Sequence, residues 1–181
     1  MNIEFAILDY IQNNLRTPIG DTIMPLVSNL GNYGVIWIIL VIILFIRADT
    51  RKIGGIVLLS LGIDMILCNG ILKPLIARAR PCDINTAIQL MIPRPDDFSF
   101  PSGHTAASFA AAFSLYIAGV KKLSIPAFIL ASFIAFSRMH LYVHFPTDIV
   151  AGIVIGILCG YTGYLLMEVI TLWKIKVKKS F

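Results

Sequence analysis

Long apolar stretches, each about as long as a bilayer is thick, constrain the fold of this 181-residue chain more than any other feature. A spanning helix needs about 20 mainly apolar residues. Such stretches lie near residues 24–46, 53–72, 103–120, 123–140 and 148–170. Because 57% of the residues are hydrophobic and only 14% are charged, a soluble domain is excluded. The sequence therefore predicts a single domain, 1–181, built as an all-α polytopic membrane helix bundle with five to six spans.

Residues 1–20 differ from these stretches because polar residues interrupt them. Apolar side chains recur at helical spacing from Ile3 to Leu15, with Asp9, Gln12 and Asn13 largely between them. We expect an amphipathic helix in the outer membrane interface, and a sixth span is the alternative. The segment has no basic n-region, so it is not expected to be a cleavable signal peptide. The core is expected over about residues 24–170, and Gly31–Gly34 interrupts its first apolar stretch.

Lysine and arginine are concentrated in three places: the turn 47–52, the turn 121–122 and the tail 171–181. The positive-inside rule predicts that these places face the cytoplasm. The polar segments 73–102 and 137–148 should then share the outer face of the cell membrane. The net charge of +5 is dispersed among apolar runs, so nucleic acid is not an expected partner.

Three cations in the outer segments indicate a bound anion. Lys73, Arg80 and Arg138 lie at the outer ends of their predicted spans. A phosphate group carries up to two negative charges and spreads charge over its oxygens during transfer, which suits several forked donors. One such cation alone is typical of an interfacial anchor, so the hypothesis depends on the combination.

Pro101, Ser102 and Gly103 are typical of a helix start, where free backbone N–H groups favour a bound anion. Glycine also allows the backbone to approach a ligand closely. His104 follows in the first turn, so it would lie beside that anion and could donate a proton to a departing oxygen. Alone, this segment could be only a helix-starting turn.

His144 and Asp148 are four residues apart and share one face if the segment is helical. The carboxylate would fix the imidazole tautomer, leaving the other ring nitrogen to attack phosphorus. The two residues could instead bind a metal together with His104. A divalent cation would then lie among three positive side chains, so we predict neither a metal nor a cofactor.

The residues above occur in a fixed order: Lys73-x6-Arg80-Pro81, then Pro101-Ser102-Gly103-His104, then Ser137-Arg138-x5-His144-x3-Asp148. From about residue 53 to 167 the chain resembles the type 2 phosphatidic acid phosphatase family. The resemblance implies a metal-independent lipid phosphatase that works through a phosphohistidine. His144 would be the nucleophile, Asp148 its orienting partner and His104 the general acid and base. The implied phosphate cradle consists of Lys73, Arg80, Ser102, Gly103 and Arg138.

The implied substrate is a phospholipid or a prenyl phosphate. Undecaprenyl diphosphate is the first expectation, with phosphatidylglycerophosphate, phosphatidate and lipid A 1-phosphate as alternatives. A phosphate-binding transporter without chemistry is the alternative from another class. Other polar residues receive weaker predictions. Asp64 and Asn69 are either functional or partners in inter-helix hydrogen bonds and are not assigned to the site, and His140 is expected to be structural or interfacial. Arg78 and Arg94 are expected to contact a second phosphate or a head group. The loop 82–100 is a candidate cover for the site.

Overall fold

The computed structural model describes residues 3–179 and the side chains of residues 3–177. This part of the chain is helical and contains no strand, which confirms the predicted all-α class. The helices are α1 (Ile3–Tyr10), α2 (Pro18–Leu30), α3 (Val35–Ile46), α4 (Arg51–Asp64), α5 (Lys73–Ile76), α6 (Pro81–Ile84), α7 (Gly103–Ile117), α8 (Lys121–His140) and α9 (Pro146–Lys179). Wider π-type turns continue α1 over Ile11–Leu15 and join α4 to α5 over Met65–Leu72.

Among the described residues, three helical stretches are long and apolar enough to cross a membrane: Arg51–Ile84, Lys121–His140 and Pro146–Val177. A fourth candidate is the pair α2 and α3, which is bent by 50°. The membrane helix bundle is thus confirmed, with three to four helices of spanning length where the sequence predicted five to six spans. The difference lies mainly in α7, which has only 15 residues. Because α7 packs between α4, α8 and α9, its apolar residues meet protein and do not need the length of a span.

Close packing of α7 against α9 brings two of the predicted motifs together. Three glycines of α9, spaced by four residues, face α7: Gly152, Gly156 and Gly160. A Cβ atom added at Gly156 would lie 2.4 Å from the carbonyl oxygen of Ala106, and one at Gly152 would lie 2.9 Å from that of Ser102. Only glycine allows two helices to approach this closely. The starts of the two helices are consequently joined, and the Ser102 N–H donates to the Asp148 carbonyl oxygen at 3.1 Å.

The N-terminal segment packs on the end of the bundle where those helices start. Leu8 is fully buried against Tyr142 and Phe145, while Ile3 is largely exposed. A helical N-terminal segment is confirmed over residues 3–15, and residues 1 and 2 lie outside the described part. After this segment Thr17 caps α2 by accepting from the Gly20 N–H at 3.0 Å.

The two ends of the predicted core differ from expectation for local reasons. Between α2 and α3, Tyr33 and Gly34 adopt left-handed backbone angles, with φ of 52° and 66°, and the helix therefore bends. At the other end α9 continues to Lys179, so the predicted tail 171–181 is largely an extension of a helix. Its last two residues lie outside the described part.

Candidate active site

The predicted motifs meet at one end of the bundle, where α8 ends, α7 and α9 begin and the segment after α4 leaves the helix. Arg80 Nη1 lies 3.1 Å from His144 Nε2 and donates to the Val143 carbonyl oxygen at 2.7 Å. The backbone bond between Ser102 and Asp148 joins the other two motifs. The structure thus brings together segments that are up to 75 residues apart in the chain.

His144 is completely buried in the loop that precedes α9. Burial lowers its pKa well below the ordinary value, and the nearby cations Arg80 and Arg138 lower it further. The imidazole is therefore neutral, with a lone pair on Nε2 facing Arg80. Its Nδ1 lies 3.5 Å from Asp148 Oδ2 and has no hydrogen-bond partner among the described residues. The two residues face each other across the turn before α9, which begins at Pro146, and do not lie within one helix as the spacing suggested.

Asp148 is held by donors from three parts of the chain. Arg78 Nη1 donates to Oδ1 at 2.6 Å, while Ser99 Oγ and the Phe145 N–H donate to Oδ2 at 2.5 and 2.8 Å. A buried carboxylate with this many donors keeps one orientation. These donors thus fix the position of Asp148 Oδ2, the oxygen that faces His144 Nδ1.

Arg78 was predicted to contact a head group, but the structure directs its guanidinium towards Asp148. Its Nη2 donates to Glu4 of α1 at 2.5 Å, and the guanidinium stacks 4.0 Å from the Phe145 ring centroid. Arg94 instead pairs with Asp83 at 3.2 Å, in an exposed position. Neither arginine is placed by these contacts in the cradle.

Lys73 and Arg80 already hold a carboxylate, because both form short ion pairs with Asp97. Arg80 Nε also donates to the Asp97 carbonyl oxygen at 2.8 Å. Partial burial alone would raise the pKa of Asp97, but the two cations lower it to about 2. Asp97 belongs to the loop 82–100, so the structure places this candidate cover directly on two of the predicted cradle residues.

Arg138 forms no ion pair with a carboxylate among residues 3–177, whose side chains are described. It is buried at the end of α8, where Nη1 donates to the Ser28 hydroxyl and Nε has no hydrogen-bond partner among the described residues. Buried polar groups in folded proteins are nearly always paired. A guanidinium with unused donors is suited to an oxyanion that binds two of them at once.

His104 lies in the first turn of α7, as predicted, and its Nε2 lies 2.8 Å from Asn32 Oδ1. Burial lowers its pKa well below the ordinary value, and Arg138, His144, Lys73 and Arg80 lower it further. The positive charge of the site therefore reaches the His104 ring. The Ser102 hydroxyl does not cap α7, because it is buried and bonded to Thr105 Oγ1 at 2.9 Å.

Gly103 faces Asn69, whose Oδ1 would lie 3.2 Å from an added Cβ.

In the part of the chain that the structure describes, no three His, Cys, Asp or Glu side chains are grouped so as to hold a metal. His140 contacts Asp21 at 3.1 Å, and Asp64 accepts from Cys68 at 3.1 Å. The first of these two pairs joins α8 to α2, and the second lies within one helical segment.

Residues 53–171 match the family model of the PAP2 superfamily. The chain belongs to this superfamily. It is 33% identical over 137 residues to an undecaprenyl-diphosphatase of Sulfolobus acidocaldarius, a match that covers 75% of this chain and 66% of the relative. It is 34% identical over 111 residues to a lipid A 4'-phosphatase of Bacteroides thetaiotaomicron, covering 58% and 49%. The chain thus spans about two thirds or less of the length of these two relatives.

The crystal structure of Aquifex aeolicus LpxE is similar to the present one, with a TM-score of 0.78 and 28% sequence identity. The match covers 90% of this chain and 95% of that chain. Both the resemblance inferred from the motifs and the fold class are therefore confirmed.

Several contacts to the predicted site residues come from outside the part that matches the PAP2 superfamily. Glu4 reaches Arg78, Ser28 reaches Arg138, and Asn32 reaches His104. Ser99 and Asp97 lie within the matched part but between the motifs. The sequence contained one signal for Asn32, a polar residue in a break of an apolar stretch, and one for Asp97, an acidic residue in the loop expected to cover the site.

Proposed function

We propose that this protein is a metal-independent lipid phosphatase that forms a phosphohistidine on His144. One observation carries the proposal: the Asp97 carboxylate occupies Lys73 and Arg80 directly beside the neutral, buried His144. An anion thus already pairs with two of the cations that a substrate phosphate would have to bind. Arg138 supplies unused donors near the same place.

The first step is a displacement at phosphorus. The His144 Nε2 lone pair forms a bond to phosphorus as the bond from phosphorus to the lipid oxygen breaks. Lys73, Arg80 and Arg138 neutralise the charge on the phosphoryl oxygens. Asp148 Oδ2, which lies 3.5 Å from Nδ1 in the free protein, moves within hydrogen-bond distance of Nδ1–H during the step and stabilises the positive charge that develops on the ring. In the free protein His104 is neutral, and the negative charge of the bound phosphate favours its protonation, so that it can protonate the departing lipid oxygen.

The second step releases phosphate. His104, neutral again, accepts a proton from a water molecule as the water oxygen attacks phosphorus. The bond between phosphorus and Nε2 then breaks, which restores the neutral imidazole. The sum is hydrolysis of one phosphate ester or anhydride bond by one water molecule, with no redox change and no metal.

For the substrate we propose a prenyl diphosphate, with undecaprenyl diphosphate as the first candidate, because a relative of that name shares 33% identity. A lipid A phosphate is the second candidate, since another relative bears the name lipid A 4'-phosphatase. Phosphatidylglycerophosphate and phosphatidate remain candidates because the proposed cradle would bind the phosphate group, which all these lipids share.

We also propose that the site faces outside the cell. The basic turns 47–52 and 121–122 lie at the starts of α4 and α8, whereas the site lies where those helical segments end. Gln89→Cys is expected to be labelled by an impermeant thiol reagent in intact cells and Lys122→Cys is not. The three native cysteines are buried, so they should give little background. The reverse labelling would place the site in the cytoplasm.

The enzymatic test is phosphate release by the purified protein in detergent, with a chelator present. The panel contains undecaprenyl diphosphate, a lipid A phosphate, phosphatidylglycerophosphate and phosphatidate. Wild type should release phosphate and His144→Ala should not, and acid quenching should destroy a phosphoenzyme that survives alkali. If no lipid is hydrolysed, or if His144→Ala keeps full activity, the proposal is wrong. Phosphate binding without turnover would favour the transporter.

A further inference from the structure

We infer that Asn32 is a positioning residue that determines which nitrogen of His104 exchanges protons. The inference rests on the proposed function, because it concerns the histidine proposed as acid and base. Asn32 lies in the bend between α2 and α3, 72 residues from His104 in the chain, and its Oδ1 lies 2.8 Å from His104 Nε2. It also lies outside residues 53–171, the part that matches the PAP2 superfamily.

The orientation of the Asn32 amide follows from its second contact. Its Nδ2 donates to Asn29 Oδ1 at 3.1 Å, which leaves Oδ1 facing the imidazole. An amide oxygen can only accept, so Nε2 of His104 must carry a hydrogen. In the neutral ring the lone pair is then on Nδ1. The proton given to the departing oxygen and later taken from water therefore passes through Nδ1.

The backbone of the bend is built to bring this amide close to His104. A Cβ atom at Gly31 would lie only 2.8 Å from His104 Cδ2 and 3.1 Å from Ile134 Cγ2. Tyr33 and Gly34 have positive φ angles, and Tyr33, a bulky residue, is unfavourable in that conformation. A straight helix would avoid this strain, but the bend brings the Asn32 side chain to the ring. Gly31 and Gly34 thus allow the bend that places the Asn32 side chain against the His104 ring.

The test is a double-mutant cycle in the phosphate-release assay, with Asn32→Ala, His104→Ala and the double variant. Loss of a hydrogen bond to a group that becomes charged should lower kcat about tenfold in Asn32→Ala. KM should change by less than about twofold, because the phosphate cradle is intact. In the His104→Ala background the Asn32 change should have no further effect, since Asn32 acts through His104. Asn14→Ala is the matched control, because Asn14 contacts only a carbonyl oxygen of its own segment.

Asn32→Asp keeps an acceptor of the same size and separates a chemical role from a packing role. It should restore most of kcat and shift the pH profile of kcat/KM upward by about one pH unit, because a carboxylate favours the charged imidazole. The other titratable or charged groups that act on His104 are Arg138 of α8, the neutral His144, and Lys73 and Arg80 of the segment after α4, and they are unchanged in all variants.

Two results would overturn the inference: wild-type kcat in Asn32→Ala, or an additional loss when the change is made in the His104→Ala background. An Asn32→Asp profile at the wild-type position would also contradict it. None of these results would affect the proposed phosphatase, which fails only if wild type releases no phosphate or does not need His144.

Discussion

The two sides of the phosphate cradle differ in how their positive charge is used in the free protein. Lys73 and Arg80 come from the segment after α4 and are both paired with Asp97. Arg138 comes from α8, and in the described part of the chain its guanidinium donates to the Ser28 hydroxyl and leaves Nε unpaired. One side must therefore exchange an internal anion for the substrate, whereas the other has donors ready.

This difference separates two kinds of contribution to catalysis. Binding at Arg138 adds an attraction that the free protein lacks. Binding at Lys73 and Arg80 replaces one carboxylate by a phosphate, so only the difference between the two anions contributes. If the proposed function is correct, we expect the loop 82–100 to control access and apparent affinity, and Arg138 of α8 to stabilise charge without first releasing a carboxylate that is bonded to it.

The largest effect is expected for Arg80→Ala. The change removes the donors beside His144 Nε2 and leaves Asp97 with less positive charge to balance it, so that the carboxylate repels the substrate. We expect kcat/KM to fall by about 10³-fold or more. Adding Asp97→Asn should recover part of this loss. A loss below about tenfold, or no recovery in the double variant, would contradict the proposed exchange of anions.

A smaller loss, about 10²-fold in kcat/KM, is expected for Arg138→Ala. Here no internal carboxylate is released, so Asp97→Asn should not rescue the variant. Arg138→Lys should remain impaired because an ammonium cannot supply a planar pair of donors. Steady-state kinetics on the lipid that is hydrolysed fastest measures kcat/KM for these variants. If Asp97→Asn rescued Arg138→Ala as well as it rescues Arg80→Ala, the two sides of the cradle would not differ as described.

Arg78→Ala tests a cation that holds the catalytic carboxylate and does not belong to the cradle. Without it Asp148 keeps Ser99 and the Phe145 N–H but loses the donor to Oδ1. We expect kcat to fall about tenfold. The inhibition constant of inorganic phosphate should stay within about twofold of wild type, unlike in the two preceding variants. Arg94→Ala is the exposed arginine control.

Asp97→Asn alone should increase affinity. Removal of the competing carboxylate should lower the inhibition constant of inorganic phosphate about fivefold, because more of the protein has an open cradle. The pKa of Asp97 is lowered to about 2, so its carboxylate persists down to that pH. The ratio between wild type and variant should thus stay constant between about pH 5 and pH 8. Weaker phosphate binding in the variant would show that Asp97 assists the substrate.

The smallest effect is expected for Ser28→Ala. The hydroxyl only orients Arg138, and its loss leaves a buried guanidinium with one more unused donor. We expect a decrease in kcat/KM of about two- to threefold. Ser132→Ala is the control, because Ser132 is an exposed residue of α8 that bonds only to its own helix. An effect as large as that of Arg138→Ala would mean that Ser28 contacts the substrate.

The sequence predicted the fold class and the convergence of the motifs because both depend on local patterns. Apolar length indicates membrane helices, and the alternation of basic turns indicates which helix ends lie together. The short helix α7 could not be told from a span, because an apolar helix inside a bundle has the same composition as one that meets lipid. The contact of α7 with the α9 glycines appears only when the two helices are packed.

Most contacts that support the site residues could not be predicted from local sequence patterns. Arg78 precedes Arg80 by two residues and looked equally suited to a head group, until the structure placed Asp148 in front of it. Ser28 and Asn32 act on residues 110 and 72 positions away. Their polarity within an apolar stretch was a signal for a special role. The partner of each depends on the three-dimensional packing of α2 and α3.

The glycine contacts between α7 and α9 also determine which parts of the site can move. Because the starts of α7 and α9 are joined by a backbone hydrogen bond, we expect the spacing between Ser102 and Asp148 to change little. Admission of a bulky lipid then has to be accommodated by the loop that carries Asp97 and by the bent pair α2 and α3. Changes in those two regions could alter the choice of lipid while the spacing of the reacting groups stays the same. On the proposed function, the reacting groups are then held by the joined starts of α7 and α9, whereas the choice of lipid depends on the Asp97 loop and on the pair α2 and α3.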